Sequence, residues 1–506
     1  MRVEPLVLHN GGSAPRSAIP RAALADFQAA IAGSVADGRR VAALFGHPLA
    51  GGVELVVVLA NDDEGQLELA RTLVAGDSFP SLTPAVPQVH LFEREIAEQW
   101  GLRPEGHPWL KPVRFHQSVR PGHDAWGRPA GSVPLVGVTD FYRVEGDEIH
   151  EVAVGPVHAG VIEPGHFRFQ CHGEDVFHLE ISLGYQHRGV EKALVGGPTK
   201  RTVPFMETLA GDTSVGHTTA YSQVLEVLAG SHVPARGMAL RAVALELERL
   251  ANHAGDLGAL AGDVGFLPTA SYCGRLRGDF LNLTALLCGS RFGRGLVRPG
   301  GVAFDLDEGD TSRARERLEA AFRDTQNAVD LLWATATVQA RFEDTGHVPS
   351  EVAEELGLVG PVARACGLHR DVRKRHPSGM YRFTHLPIST WHTGDVYARA
   401  YVRWLEVERS VAFLREHLQQ LPSGSVRAES GPPRPDRVAV SLVEGWRGEI
   451  CHVALTDERG RFAAYKVVDP SFHNWIGLQM ALRGQQISDF PLCNKSFNLS
   501  YCGHDL

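Results

Sequence analysis

The 506-residue sequence contains no Gly-Lys dipeptide, so the Gly-x-x-x-x-Gly-Lys-Ser/Thr loop that cradles nucleotide phosphates is missing. Gly293-Arg-Gly-Leu-Val-Arg298 comes nearest to a dinucleotide-binding Gly-x-Gly-x-x-Gly and lacks the third glycine. Cysteine is scarce: seven residues, at 171, 273, 288, 366, 451, 493 and 502, with no Cys-x-x-Cys pair among them. That argues against a zinc knuckle or an iron–sulfur cluster held by this chain. An odd, scattered set also points to free thiols in a reducing compartment. Basic residues are outnumbered, 50 against 59 acidic, for a net charge of −9. Nucleic-acid binding by phosphate neutralisation is thereby disfavoured. No apolar run approaches the ~18 residues that span a bilayer. The longest apolar stretch, Val53 to Ala60, has the length of a strand. No charged-then-apolar leader is visible, and the expected location is the cytoplasm, free or tethered to a membrane only through partners.

What is present is an ordinary globular composition, 43% hydrophobic and 22% charged, in a chain long enough for two or three domains. The spacing predicts a small α/β unit over 1–112: a helix at Ala22–Val35, strands at Arg40–Phe45 and Val53–Leu59, and helices at Gln66–Val74 and from Val89 to Gly101. A Pro- and Gly-rich linker follows, to about residue 147. From 148 to 506, short strands at 151–155, 166–171 and 175–181 precede long helices at about 204–230, 236–262, 273–289, 311–342 and 395–421. A proline-rich loop at 422–437 and a hairpin at 449–455 and 462–468 close the chain. The expected fold class is α+β: a small N-terminal α/β domain, then a central long-helix bundle with peripheral β-hairpins.

Several motifs occur in a fixed order. They are Phe92-Glu-Arg-Glu95 through Gly106-His-Pro108, Gly155-Pro-Val-His158, Leu183-Gly-Tyr-Gln-His-Arg-Gly-Val-Glu-Lys192, Leu247-Glu-Arg-Leu-Ala-Asn-His253, Arg298-Pro-Gly-Gly-Val302, Asp371-Val-Arg-Lys374 and Asp469-Pro-Ser-Phe472. The first set resembles the 30-kilodalton subunit of respiratory NADH–quinone oxidoreductase. The others resemble its 49-kilodalton subunit and the large subunits of group 4 nickel–iron hydrogenases, formate hydrogenlyase and hydrogenase-4 included. The resemblance implies a hydrogenase-large-subunit-like domain over 148–506. It also implies iron–sulfur cofactors in a partner small subunit, a ferredoxin-like iron–sulfur protein, ion-translocating membrane subunits and a peripheral place on the cytoplasmic face of the membrane.

In the hydrogenase branch four thiolates hold nickel and iron, soft donors suited to those metals. The matching positions here are Ala210, Thr213, Ser500 and Gly503, so a nickel–iron centre is not expected and the chain holds no metal of its own. In the quinone branch a histidine and a tyrosine bind the headgroup. Gly211 stands where the tyrosine belongs, and the histidine is either His158 or His166. Glu191, His217 and Asp212 are the candidate catalytic residues, Glu191 as a proton carrier or as an ion-pair partner of Arg188 or Lys192. His217 is either a redox-coupled proton acceptor or a satisfied core histidine. Asn498, Ser500 and His504 lie where a cavity is expected, and a quinone is its possible occupant. Arg188, Asp371, Arg373, Lys374 and Asp505 are interface or proton-coupling candidates, the 371–374 cluster otherwise a solvated loop. Three readings follow: a complex-I-like subunit passing electrons to a quinone or other small acceptor, a working hydrogenase large subunit, and a non-catalytic docking scaffold.

Overall fold

Val53–Ala60 is buried on both faces, which only a central strand between two layers achieves. In the computed structural model, which describes residues 4–129, 131–158 and 162–506, this strand belongs to a four-stranded antiparallel sheet. The spatial order is Leu6–His9, Gln66–Val74, Gly52–Asn61, Arg40–Leu49. Helices Leu24–Ala36 and His90–Trp100 pack on this sheet. Gly101 takes the left-handed conformation that ends the second helix, as its sequence position predicts. The expected helix at Gln66–Val74 is a strand instead. Its Leu and Glu residues favour helix alone, but the tight connection through Gly65 registers it against Val53–Asn61, and that pairing prevails.

A second four-stranded sheet, ordered Phe462–Val468, Gly448–Thr456, Arg437–Gly445, Gly12–Pro15, lies near the other end of the chain. Its last strand comes from the first fifteen residues. The two sheets share one core, to which Val41 and Val56 contribute from one sheet and Val440 and Val453 from the other, together with Phe472. Arg437–Gly445 was absent from the expected elements, and so was the Gly12–Pro15 strand. A three-stranded antiparallel sheet (Asp175–Ser182, His166–His172, Ile149–Val154) forms the hairpin region expected there.

The bundle is built on one 29-residue helix, Ala235–Asp263, packed against Leu267–Cys288 and Val396–Gln419, with Glu308–Trp333 outside. The helix expected at 204–230 is two pieces, Thr202–Met206 and Ser214–Ala229, separated by the turn that carries Ala210 to Thr213. The 311–342 helix likewise breaks at Ala334-Thr335. The whole is an α+β fold.

Candidate functional site

The turn before the Ser214–Ala229 helix and the last dozen residues meet, although some 280 positions separate them in sequence. Arg188 holds them together: its guanidinium donates to the carbonyls of Thr208 (2.6 Å), Leu209 (3.0 Å) and Cys502 (3.0 Å). The C-terminal stretch turns twice to get there. Asn498, left-handed at φ 43°, ends the Phe490–Phe497 helix, and Ser500 Oγ accepts the Gly503 N–H to start Tyr501–Asp505. Asp505 then accepts the backbone N–H groups of Gly184 and Gln186 at 2.8 and 2.9 Å, clamping the Leu183–Lys192 motif to the C-terminus. Asp505 and Arg188 thus have structural partners within the chain.

A buried chain of polar side chains runs inward from this junction. Asp469 Oδ2 lies 3.0 Å from His217 Nε2, His217 Nδ1 lies 3.1 Å from His452 Nε2, and His452 Nδ1 lies 2.9 Å from the Tyr465 hydroxyl. All four residues are buried. Burial alone would push the Asp469 carboxyl up. The bond to His217 and its charge, the Arg447 charge and the Ser471 side chain outweigh burial and hold it below the usual range. Burial, with His217 beside it, drives His452 far below its ordinary value, and burial drives Tyr465 far above its own. Ionised Asp469 can only accept, so His217 Nε2 carries a proton. With neutral His217, the remaining protons are assigned in one direction: Tyr465 donates to His452, and His452 to His217. Adding one proton to His217 reverses both of those bonds. The run of hydrogen bonds therefore has two directions, set by the protonation of His217.

Asp212 sits beside it in a different arrangement. Its carboxylate takes two bonds from Arg447 (2.6 and 2.8 Å), and its carbonyl accepts from Trp446 and Asn252. Arg447 also donates to the Asn498 carbonyl (2.6 Å), and the Asn498 amide reaches Asp256. Burial would raise Asp212, but the guanidinium keeps its carboxyl below the usual range. Glu248 caps the next helix, accepting the N–H groups of Val215 and Gly216 at 2.7 and 3.2 Å. Burial pushes it up to about 8 against those two bonds.

Glu191 pairs with Lys466 at 3.0 Å and accepts from Gln99 and the Val467 N–H. Its ion-pair partner is thus Lys466, neither Arg188 nor Lys192. Lys466 also holds Glu95 at 2.5 Å, and Arg114 bonds both Glu95 and the His504 carbonyl. This links Glu191 to the junction. His158 and His166 lie on the hairpin, their ring nitrogens engaged with the carbonyls of Gly165 (2.8 Å) and Gly155 (3.2 Å). The hairpin tip still reaches the junction, because Glu163 accepts the N–H groups of Tyr501 and Cys502.

Asp371 and Arg373 do not form a solvated loop. They are buried in a network with Glu246, Arg364, Glu406 and Glu444, where Arg373 bonds Asp371 at 2.7 Å and Glu246 at 3.1 Å. Lys374 alone of that cluster is exposed. Sequence reasoning gave no role to Asp469, His452, Tyr465, Arg447 or Glu248. Asp469 carried a signal, as an Asp-Pro-Ser helix start, but its partner lies 252 positions away.

The residues do not fit a nickel–iron centre. Ala210, Thr213, Ser500 and Gly503 are buried and supply no thiolate. A side chain at 503 would begin 2.6 Å from Asp469 Cγ, in space the carboxylate already fills. Cys502, the thiol nearest by, has its proton held by burial, which raises it to about 12. Cys493 is buried beside Gly346 and Arg399, in a different place. Among the described residues, no three His, Cys, Asp or Glu side chains converge as metal ligands.

The family model for the respiratory-chain NADH dehydrogenase 49 Kd subunit matches residues 263–433, and that for the 30 Kd subunit matches 25–126. Formate hydrogenlyase subunit 5 of Escherichia coli is 31% identical over 435 residues, covering 84% of this chain and 76% of that protein. The chain belongs to the complex I 49 kDa and group 4 hydrogenase large-subunit family. A 30 kDa-type unit is fused ahead of the 49 kDa-type one. The carbon monoxide-induced hydrogenase of Rhodospirillum rubrum is 30% identical, over 69% of this chain and 97% of its own length. An NADH-quinone oxidoreductase subunit of Solibacter usitatus is 28% identical, over 66% of this chain and 91% of its own length. Members of this family are oxidoreductase subunits. In this member, no helix among the described residues is long and apolar enough to cross a membrane.

Proposed function

We propose that this chain is the metal-free large subunit of a membrane-associated oxidoreductase complex, where electrons from a partner's iron–sulfur cluster reduce a quinone or another small acceptor. The observation that carries this reading is the junction itself. The space a side chain at the fourth thiolate position would need is filled by the Asp469 carboxylate, and that carboxylate ends a buried chain of hydrogen bonds. Reduction of a quinone takes two electrons and two protons. The Tyr465–His452–His217–Asp469 chain can hold or release one proton at His217 beside the junction, and the ion pairs of Lys466 with Glu191 and Glu95 reach the same place. The exposed backbone at Thr208 and Gly211, together with Cys502 and the His158 hairpin, is the face an acceptor would approach and an iron–sulfur small subunit would close. His158 or His166 would turn from its carbonyl partner to hold the acceptor, with Asn498 and Ser500 lining the inner side. Ferredoxin-like donors and ion-translocating membrane subunits, with this chain peripheral on the cytoplasmic face, complete the complex.

The engagement of both hairpin histidines with backbone carbonyls favours a second reading, a docking scaffold without its own acceptor. The test is metal analysis and quinone-analogue photolabelling of the purified, intact complex. Nickel far below stoichiometric, with label on 207–221 or 495–506 that is lost in His158→Ala or His166→Ala, is the expected result. Stoichiometric nickel overturns the proposal. An intact complex that takes no label at saturating analogue leaves the scaffold.

A further inference from the structure

A cavity of about 630 Å³ lies between the C-terminal half of the Ser214–Ala229 helix and the first turns of Ala235–Asp263. Thr219 is its one lining residue from the 207–221 stretch, and Arg373 and Glu444 of the buried charge network also line it. Its volume is in the range of small-molecule sites, whereas protein interiors are otherwise close-packed. Much of the wall is apolar, formed by Val227, Met238, Ala242, Leu245, Met380 and Leu442, with Asn10, Gln223 and Ser378 adding polar groups. Thr219 is 2% exposed, and its hydroxyl has no hydrogen-bond partner among the described residues. Buried hydroxyls are normally satisfied, so an orphan facing a cavity points to a missing partner.

The charges at the cavity have a definite sign. Glu226 is taken by Arg241 at 2.5 Å and by the Gly300 N–H, and Glu444 by Arg364 at 2.8 Å and the Val372 N–H. Arg373 is taken by Asp371 and Glu246. Arg382 and Arg434 also line the cavity, both exposed, with no carboxylate partner among the described residues. Two exposed guanidiniums on the lining of a largely apolar chamber suit a planar anionic head on an apolar body.

We propose that this cavity binds a small amphiphilic carboxylate, its head at Arg382 and Arg434 and its apolar body directed toward Thr219. The site is separate from the electron-accepting junction, and binding is read without any turnover. The test is calorimetric titration of the full chain in its assembled complex with octanoate, octan-1-ol and octylammonium. Octanoate binds at least tenfold tighter than octan-1-ol, and octylammonium gives no heat. Arg382→Glu with Arg434→Glu, both at exposed positions, weakens octanoate at least tenfold and leaves octan-1-ol within twofold. Met380→Trp, which fills the wall, weakens both. Thermal unfolding of each variant confirms that it is folded. No octanoate binding at millimolar concentration, equal affinity for octanoate and octan-1-ol, an unaffected charge-reversed variant, or an unaffected Met380→Trp each overturns the proposal.

Discussion

Gly503→Ala tests the junction with a single methyl group. Gly503 does not have a left-handed backbone, so alanine meets no conformational strain there and the effect is one of space. The new Cβ would stand 2.6 Å from Asp469 Cγ and 2.7 and 2.9 Å from its oxygens. A free side-chain end would swing aside, but this carboxylate is fixed by His217 Nε2 at 3.0 Å and by the Ser471 N–H at 2.8 Å. Moving it breaks a bond to a charged acceptor, about 1.5–3 kcal/mol. Moving the Tyr501–Asp505 helix instead strains the Arg188 and Asp505 contacts, an overpacking cost of about 1–3 kcal/mol. Only one of the two moves is needed, so the expected loss is about 1.5–3 kcal/mol. An unfolding entropy of roughly 2 cal/mol/K per residue makes this a fall in Tm of about 1.5–3 °C for a chain of this length. Scanning calorimetry of the purified chain measures it. Asp469→Ala clears the same space, so the double variant should recover at least ~1 kcal/mol relative to the sum of the singles. A Tm within 1 °C of the parent, or strictly additive singles, would refute the geometry. Gly503→Cys should behave like the alanine and fail to restore a thiolate site.

The buried network makes a contrast between neighbours: Arg373→Ala should lose about 3–5 kcal/mol by stranding Asp371 and Glu246, while Lys374→Ala stays within ~0.5 kcal/mol. Equal effects in calorimetry would return the cluster to a solvated loop. Glu248 is held above its unfolded value of ~4.3. Its contribution is present below that pH and is lost as pH rises through about 8. Glu248→Gln should therefore flatten the decline in Tm between pH 5 and 8, and parallel parent and variant profiles would contradict the assignment. His452→Phe leaves the Tyr465 hydroxyl and His217 Nδ1 unpaired, at about 1–3 kcal/mol each, and adding Tyr465→Phe should remove one of these orphans and recover part of the loss in urea titrations. Arg188→Ala should raise amide exchange across Gly503–Leu506 with less than ~1.5 kcal/mol of global destabilisation. Unchanged exchange there would show that the three carbonyl contacts do not secure the C-terminus.

Local pattern carried the reading where one face of an element decides its state. The Val53–Leu59 strand, the C-terminal hairpin and the glycine end at 101 were all legible. Gln66–Val74 was not, because its Leu and Glu residues suit a helix and only the partner strand turns them into a sheet. Arg437–Gly445 had an available signal in the alternation of Val438, Val440 and Leu442, masked by the prolines just before it. The junction was legible as two stretches, 207–221 and 495–506, and the structure brings both together under Arg188. What links them was hidden, since the partners of His217 lie 235 and 252 positions away. Charged residues read as exposed for the same reason: Asp371 and Arg373 look solvated until Glu246 and Glu406, from two distant helices, surround them.

A junction without metal ligands need not be a loose pocket. Thiolates hold a metal by charge and softness, and without the four of them the site lacks their negative charge. Here one carboxylate, Asp469, stands in the space a side chain at the fourth thiolate position would need and stays ionised, because His217, Arg447 and Ser471 all favour its charged form. Arg447 is shared with Asp212 and with the Asn498 carbonyl, so the same cation that stabilises the carboxylate also fixes the two backbone turns flanking it. The charge thus positions the protein rather than a metal. Once it is fixed, His217 must present a proton to it, and the only remaining freedom is the direction of the bonds to His452 and Tyr465. A junction with one fixed charge and one reversible run of hydrogen bonds can take up a single proton at His217, which is what the acceptor reading proposed above requires.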